Sequence, residues 1–99
     1  MELKHLETLC SHLNFLLCGI VYIIKSKQFD WQYIGSTGHL KDRLKNHNMG
    51  KSQATKHYAP FELEAFIAVK TEQKARKLEK YFKTGSGSAI LKKRILQST

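Results

Sequence analysis

Acidic residues are scarce in this 99-residue chain: 8 Asp and Glu stand against 17 Lys and Arg, a formal net charge of +9. Residues 1–18 hold only Lys4 against Glu2 and Glu7, so residues 19–99 carry 16 basic and 6 acidic side chains. A polyanion is the partner such a surface suits, nucleic acid before an anionic membrane. Cysteine is scarce as well. Cys10 and Cys18 are separated by seven residues and form no C-x-x-C pair, which speaks against a disulfide framework. With His5 and His12 they match no recurrent zinc spacing. No long apolar run occurs: Phe15–Ile24 is about half of the roughly 20 residues a membrane-spanning helix needs. No basic n-region opens the chain and no small-residue cleavage site follows the apolar run, so a reduced, cytoplasmic protein is expected, not a membrane one. One proline and 41% hydrophobic residues exclude a disordered chain over most of the length. No internal repeat or low-complexity segment is present.

What remains is one small domain over 19–96, preceded by a leader, residues 1–18. The leader spaces Leu3, Leu6, Leu9, Leu13, Leu16 and Leu17 near a helical period. It could form a short helix against the domain or a protein partner, or stay poorly ordered. Ile20–Ile24 is a nearly continuous β-branched run, as expected of a central strand covered on both faces. After the polar turn Lys25–Asp30, Trp31–Gly35 reads as its antiparallel hairpin partner. Period two places Tyr22 on the face of Ile20 and Ile24, and Tyr33 on that of Trp31 and Gly35. Gly35, with no side chain, lets another group approach the backbone beside Tyr33.

Ser36-Thr37-Gly38 supplies capping chemistry for a helix over Leu40–Asn48. Leu40 and Leu44 mark its core stripe, Arg43 and His47 lie one turn apart beside it at the rim, and Lys41 and Lys45 point outward. Residues 48–59 show no period and hold Lys51, Lys56 and His57, which suits contact with a nucleic-acid backbone. A third strand follows Pro60, Phe61–Val69, whose alternation puts Phe61, Leu63, Ala65, Ile67 and Val69 on one core face. Thr71 caps a helix from Glu72 to about Lys83 with Ala75, Leu78 and Phe82 buried. Arg76, Lys77, Lys80 and Lys83 cover its opposite side. Glu79 lies roughly 40° from Ala75, at the edge of the buried face. A carboxylate there is expensive unless paired, hydrogen-bonded or bound to metal; taken alone, Glu79 could pair with Lys83 at i,i+4. Gly85-Ser86-Gly87-Ser88 breaks the chain and can cap a last short, basic helix, Ala89–Leu96. The order β-β-α-β-α-α around a three-stranded antiparallel sheet makes an α+β domain.

Residues 19–96 resemble the GIY-YIG nuclease domain, whose name describes a Gly-Ile-Tyr and a Tyr-Ile-Gly roughly ten residues apart. The second is intact as Tyr33-Ile34-Gly35; the first is degenerate, Ile20-Val21-Tyr22. Arg43 and His47 match the helix arginine and following histidine of that family, and Glu79 matches its glutamate. Where several members have a late asparagine this chain has Thr84-Gly85-Ser86-Gly87-Ser88, so that role has no candidate. The Lys-x-Gly-Ser-Gly-Ser ending and basic helix look like the small, stand-alone bacterial members. The resemblance implies an endonuclease acting on DNA, in repair, recombination or processing. Glu79 would hold one divalent cation, Mg²⁺ or Mn²⁺, with waters and substrate phosphate completing the shell. Arg43 would contact the scissile phosphate. Tyr22 would activate water with Tyr33 assisting and His47 accepting the phenolic proton, Arg43 and the metal supplying the positive charge a phenol base needs. Ser36, Lys45, Lys51 and Lys56 are the expected nucleic-acid contacts. The alternative is a non-catalytic nucleic-acid-binding module of the same fold. Tyr58 and Tyr81 are read as packing or surface groups.

Overall fold

The computed structural model describes residues 19–96. The leader, with its leucines, cysteines and histidines, lies outside the described residues. Strand β1, Gly19–Ser26, is central in a sheet of order β2-β1-β3, with β2 at Gln32–Thr37 and β3 at Phe61–Val69, both antiparallel to it. Helices α1 (Leu40–Asn48), α2 (Glu72–Phe82) and α3 (Gly85–Ile90) complete the expected β-β-α-β-α-α order. Burial explains the β1 sequence: every residue of Ile20–Ile24 is at most 1% exposed, so both faces of the strand demand apolar or hydrogen-bonded side chains.

Two cores result. Ile20, Tyr22 and Ile24 face one way, where Leu40 of α1 and Phe61 close over them. Val21 and Ile23 face the other way, against Ala75 and Phe82 of α2 and Leu91. The hairpin register sets Tyr22 opposite Gly35 and Ile24 opposite Tyr33, so both tyrosines share the α1 face.

The single core face expected of β3 is not what forms. A register shift between Ile23 and Ile24 leaves Glu64 as an extra residue on β3. A bulge of this kind reverses the alternation beyond it. Phe61 and Leu63 therefore serve the α1 face, while Ala65, Ile67 and Val69 serve the α2 face. Pattern alone hid the change because Phe61 to Val69 keeps its period through the bulge.

The glycine-serine stretch also differs from expectation. It opens α3 instead of interrupting the chain: Thr84 caps the helix, its hydroxyl accepting from the Gly87 N–H at 3.0 Å. Gly87 is buried so tightly against the Tyr81 carbonyl that a Cβ would overlap it, so glycine here serves helix-to-helix contact. A π-helical turn, Leu91–Ile95, continues α3 and carries Lys92, Lys93 and Arg94 outward. Thr71 caps α2 as expected, accepting from the Lys74 N–H at 3.1 Å. Ser36-Thr37-Gly38 does not cap α1, whose N-cap is His39 with no side-chain bond. Thr37 instead accepts from the His39 N–H at 3.0 Å and shapes the turn, which frees Ser36 for another partner.

Candidate active site

On the α1 face the Tyr22 phenol lies across Gly35, so close that a methyl group on Gly35 would overlap it. The group that the missing side chain admits is thus the other tyrosine's ring. Tyr22 Oη is 2.8 Å from His47 Nε2. His47 Nδ1 is in turn 2.7 Å from the Thr55 hydroxyl. His47 was expected at the core rim with Arg43, but only Arg43 is exposed there; His47 is 1% exposed. The reason is the 48–59 stretch, which brings Thr55 against the ring, together with Phe61 at the start of β3. Asn48 anchors its far end by accepting from the Phe61 N–H at 2.6 Å, and Tyr58 stacks on Trp31 with ring centroids 4.0 Å apart. Tyr33 stands beside the pair, 6.4 Å from the Tyr22 ring and 5.4 Å from His47.

Burial pushes the Tyr22 phenol well above its usual value near 10; Tyr33 and Glu79 add to the rise and the Arg43 charge opposes it without cancelling it. Burial lowers His47, and Arg43 lowers it further. Both groups are therefore neutral near pH 7. Arg43 acts on Tyr22 in the expected direction, its charge favouring the phenolate, but removal from water is the larger effect. A neutral phenol hydrogen-bonded to a neutral imidazole can pass a proton to it where the facing nitrogen carries the lone pair.

Glu79 lies across the sheet, on α2. Its Oε1 accepts from the Ser36 hydroxyl at 2.6 Å and its Oε2 pairs with Lys83 at 2.7 Å. Burial alone would raise this carboxyl; the bonds from Lys83 and Ser36 and the Lys83 charge win and hold it below its ordinary value. Glu79 is thus ionised. The i,i+4 pair foreseen with Lys83 is present, and Ser36, expected on nucleic acid, is committed to Glu79. The Lys83 ammonium also stands 5.6 Å from the centre of the Tyr33 ring, linking Glu79 to the tyrosine side of the sheet.

Where β2 ends, a cleft of about 240 Å³ opens between α1 and α2, lined by Ser36, Thr37, Gly38, His39, Arg43, Glu72 and Arg76. A second, of about 390 Å³, runs along α2 past Gln73, Arg76, Lys77, Glu79 and Lys80. Arg76 borders both, although helical spacing assigned it to the far side of α2. Its partner is Glu72, at 3.8 Å, and both are well exposed. Lys45, Lys51 and Lys56 are all exposed and none lines either cleft. Thr55 and Arg76 are the residues that sequence reasoning passed over. A buried threonine in an aperiodic stretch carries no signal, and Arg76 was one cation among several on its helix.

Among the described residues no group of three or more His, Cys, Asp or Glu converges. Ionised Glu79 is held by Ser36 at one oxygen and by Lys83 at the other. Each oxygen keeps a second lone pair, which suits a cation that keeps most of its water, as Mg²⁺ does, and not a dedicated protein cage.

A three-stranded antiparallel sheet with helices on both faces makes this a small α+β domain, and its sequence profile is that of a nuclease-type family. The chain belongs to the GIY-YIG family: the sequence profile of the GIY-YIG catalytic domain matches residues 18–94. No curated protein and no solved structure matches the chain significantly.

Proposed function

We propose that this protein is a divalent-metal-dependent endonuclease that hydrolyses DNA phosphodiester bonds, acting in DNA repair, recombination or processing. The observation that carries the reading is the buried Tyr22–His47 hydrogen bond of 2.8 Å, with the charge of Arg43, a residue that lines the cleft, acting on both groups. Binding alone needs no proton acceptor held behind a phenol.

In this reading the backbone phosphate lies in the cleft on Arg43, whose planar fork matches two phosphate oxygens and stabilises charge as it develops. Arg76 takes a neighbouring phosphate from the α2 side. Water attacking phosphorus gives its proton to Tyr22 Oη while the phenolic proton moves to His47 Nε2. In this reading Tyr22 takes the proton of water as it gives up its own, so no free phenolate is needed. That suits a phenol that burial holds above its usual value, and His47 ends as imidazolium. The new P–O bond forms as the bond to one sugar oxygen breaks, that oxygen leaving with the electron pair and gaining a proton from solvent. Glu79 would hold a hydrated Mg²⁺ or Mn²⁺, which supplies charge neutralisation at the phosphate when bound. Lys51 and Lys56 add contact to the DNA backbone away from the reacting bond.

The test is incubation of the purified chain with branched, single-stranded and duplex DNA, with Mg²⁺, with Mn²⁺ and with chelator. Cleavage that needs the metal is the expected result. DNA binding with no cleavage of any substrate would instead make the domain a binding module.

A further inference from the structure

His47 is held at both ring nitrogens, and its ring is buried. Nε2 lies 2.8 Å from Tyr22 Oη and Nδ1 lies 2.7 Å from Thr55 Oγ1. Tyr22 and His47 are each 1% exposed and Thr55 is 0%. A neutral imidazole has one N–H, so one nitrogen donates and the other accepts. With the hydrogen on Nε2, the ring donates to the phenol oxygen and has no lone pair to receive its proton. With the hydrogen on Nδ1, the ring donates to Thr55, and the Nε2 lone pair faces the phenol. Both arrangements fit the distances, but a proton can leave Tyr22 only in the second.

We propose that Thr55 is a positioning residue: its hydroxyl accepts the Nδ1–H of His47 and so holds the ring in the tautomer that can take the proton of Tyr22. This rests on the nuclease reading of the Tyr22–His47 pair. The hydroxyl is suited to the task because it accepts from Nδ1–H both before and after Nε2 is protonated. No side chain has to turn during the transfer, so the arrangement is prepared in advance. The backbone fixes where the hydroxyl sits. Thr55 N–H donates to the Ser52 carbonyl at 3.2 Å, and the Thr55 carbonyl accepts from the Tyr58 N–H at 2.9 Å. Other groups facing His47 offer Nδ1 no bond: Tyr33 and Phe61 lie with ring centroids 5.4 and 6.0 Å away, and Arg43 acts on it through its charge.

The experiment is nitrogen-15 NMR of the histidine side chains in the labelled full chain near pH 7.5, with His47 assigned by its loss in His47→Gln. In the parent protein Nδ1 should carry the proton and Nε2 should give the shift of an accepting nitrogen. Thr55→Ser should preserve that pattern. Thr55→Val, which keeps the shape and removes the acceptor, should move the proton to Nε2. Cleavage should follow: Thr55→Val lowers kcat about 10²-fold or more with KM nearly unchanged, and Thr55→Ser restores it. An Nε2–H ring in the parent protein overturns the proposal, and this measurement needs no variant to fold. An unchanged tautomer in a folded Thr55→Val protein overturns it as well. A tautomer that follows Thr55 in a chain cleaving no DNA would confirm the Thr55–ring assignment and overturn the nuclease reading alone.

Discussion

Replacing Gly35 by alanine tests the closest contact in the site. Tyr22 and Gly35 face one another across β1 and β2. A Cβ on residue 35 would stand 2.5 Å from Tyr22 Cζ and 3.0 Å from Cε1, where ordinary contact begins at 3.4 Å. The ring or the strand must therefore yield by about 1 Å in a densely packed interior. The ring has little room to retreat, because His47 and Tyr33 lie beside it with centroids 5.6 and 6.4 Å away. Overpacking of this kind destabilises by about 1–3 kcal/mol. A 1 Å displacement also stretches the 2.8 Å contact with His47 past hydrogen-bonding reach, and such misplacement lowers turnover about 10²-fold. Urea unfolding followed by Trp31 fluorescence reads the first effect, and initial rates of DNA cleavage read the second. A Gly35→Ala protein within about 0.5 kcal/mol of the parent, with the His47 Nε2 resonance unmoved, would refute the packing described here. Normal stability with lost cleavage would place the whole effect in the site.

Glu79→Gln keeps the shape and removes the charge; cleavage should fall about 10²- to 10³-fold. Mn²⁺ binding by calorimetry should disappear, and DNA affinity in chelator should stay within about twofold. An active Glu79→Gln enzyme would remove Glu79 from the site. For pH dependence the sign follows from His47, whose folded pKa is lowered by burial. The unfolded chain then binds the extra proton first, so stability is complete above about pH 6.5 and declines as pH falls toward the folded value. His47→Gln should flatten that part of the curve of unfolding free energy against pH, and an unchanged slope would assign it to other groups. Lys51→Ala and Lys56→Ala should weaken duplex binding and reduce the slope of log K against log salt by about 0.9 each. Arg76→Ala should raise KM more than it lowers kcat, and Glu72→Gln should tighten DNA binding by releasing Arg76 from its 3.8 Å pair; equal losses from the two variants would reduce Arg76 to a partner of Glu72.

The sequence made β1, the hairpin and α1 legible because each depends on local pattern: a β-branched run, a period of two, a pair of leucines a turn apart. The space at Gly35 was readable for the same reason, since a missing side chain admits an approaching group; that the group is the Tyr22 ring comes from the hairpin register. The β3 bulge was not, because its residues stay apolar at every second position whichever face they serve. Thr84 capping Gly87 was hidden by the usual reading of Gly-Ser runs as breaks; a glycine pressed on a carbonyl from another helix is a tertiary fact. The burial of His47 escaped for a related reason. Helical spacing locates a residue on its own helix but says nothing of a later segment folding over it, and Thr55 belongs to that segment.

The division of the site between the two faces of the sheet has one structural solution, and it lies in two consecutive residues of β2. Alternation sends neighbours to opposite faces. Gly35 faces α1 and admits the Tyr22 phenol; Ser36 faces α2 and binds Glu79 at 2.6 Å. β2 is an edge strand, with β1 on one side and no strand on the other. Groups from both faces can therefore reach around its open side, as Lys83 does when it pairs with Glu79 and lies against the Tyr33 ring. A central strand would have walled the two halves apart. Arg43 and Arg76 border the cleft at the end of the same strand, so under the proposed function a phosphate there would meet the cations of both helices at once. Moving Glu79 to Asp shortens the reach from α2 by one methylene and should open the Ser36 bond. If cleavage falls as far as in Glu79→Gln while Glu79→Asp unfolds like the parent, the distance across the β2 edge sets activity, not the charge alone.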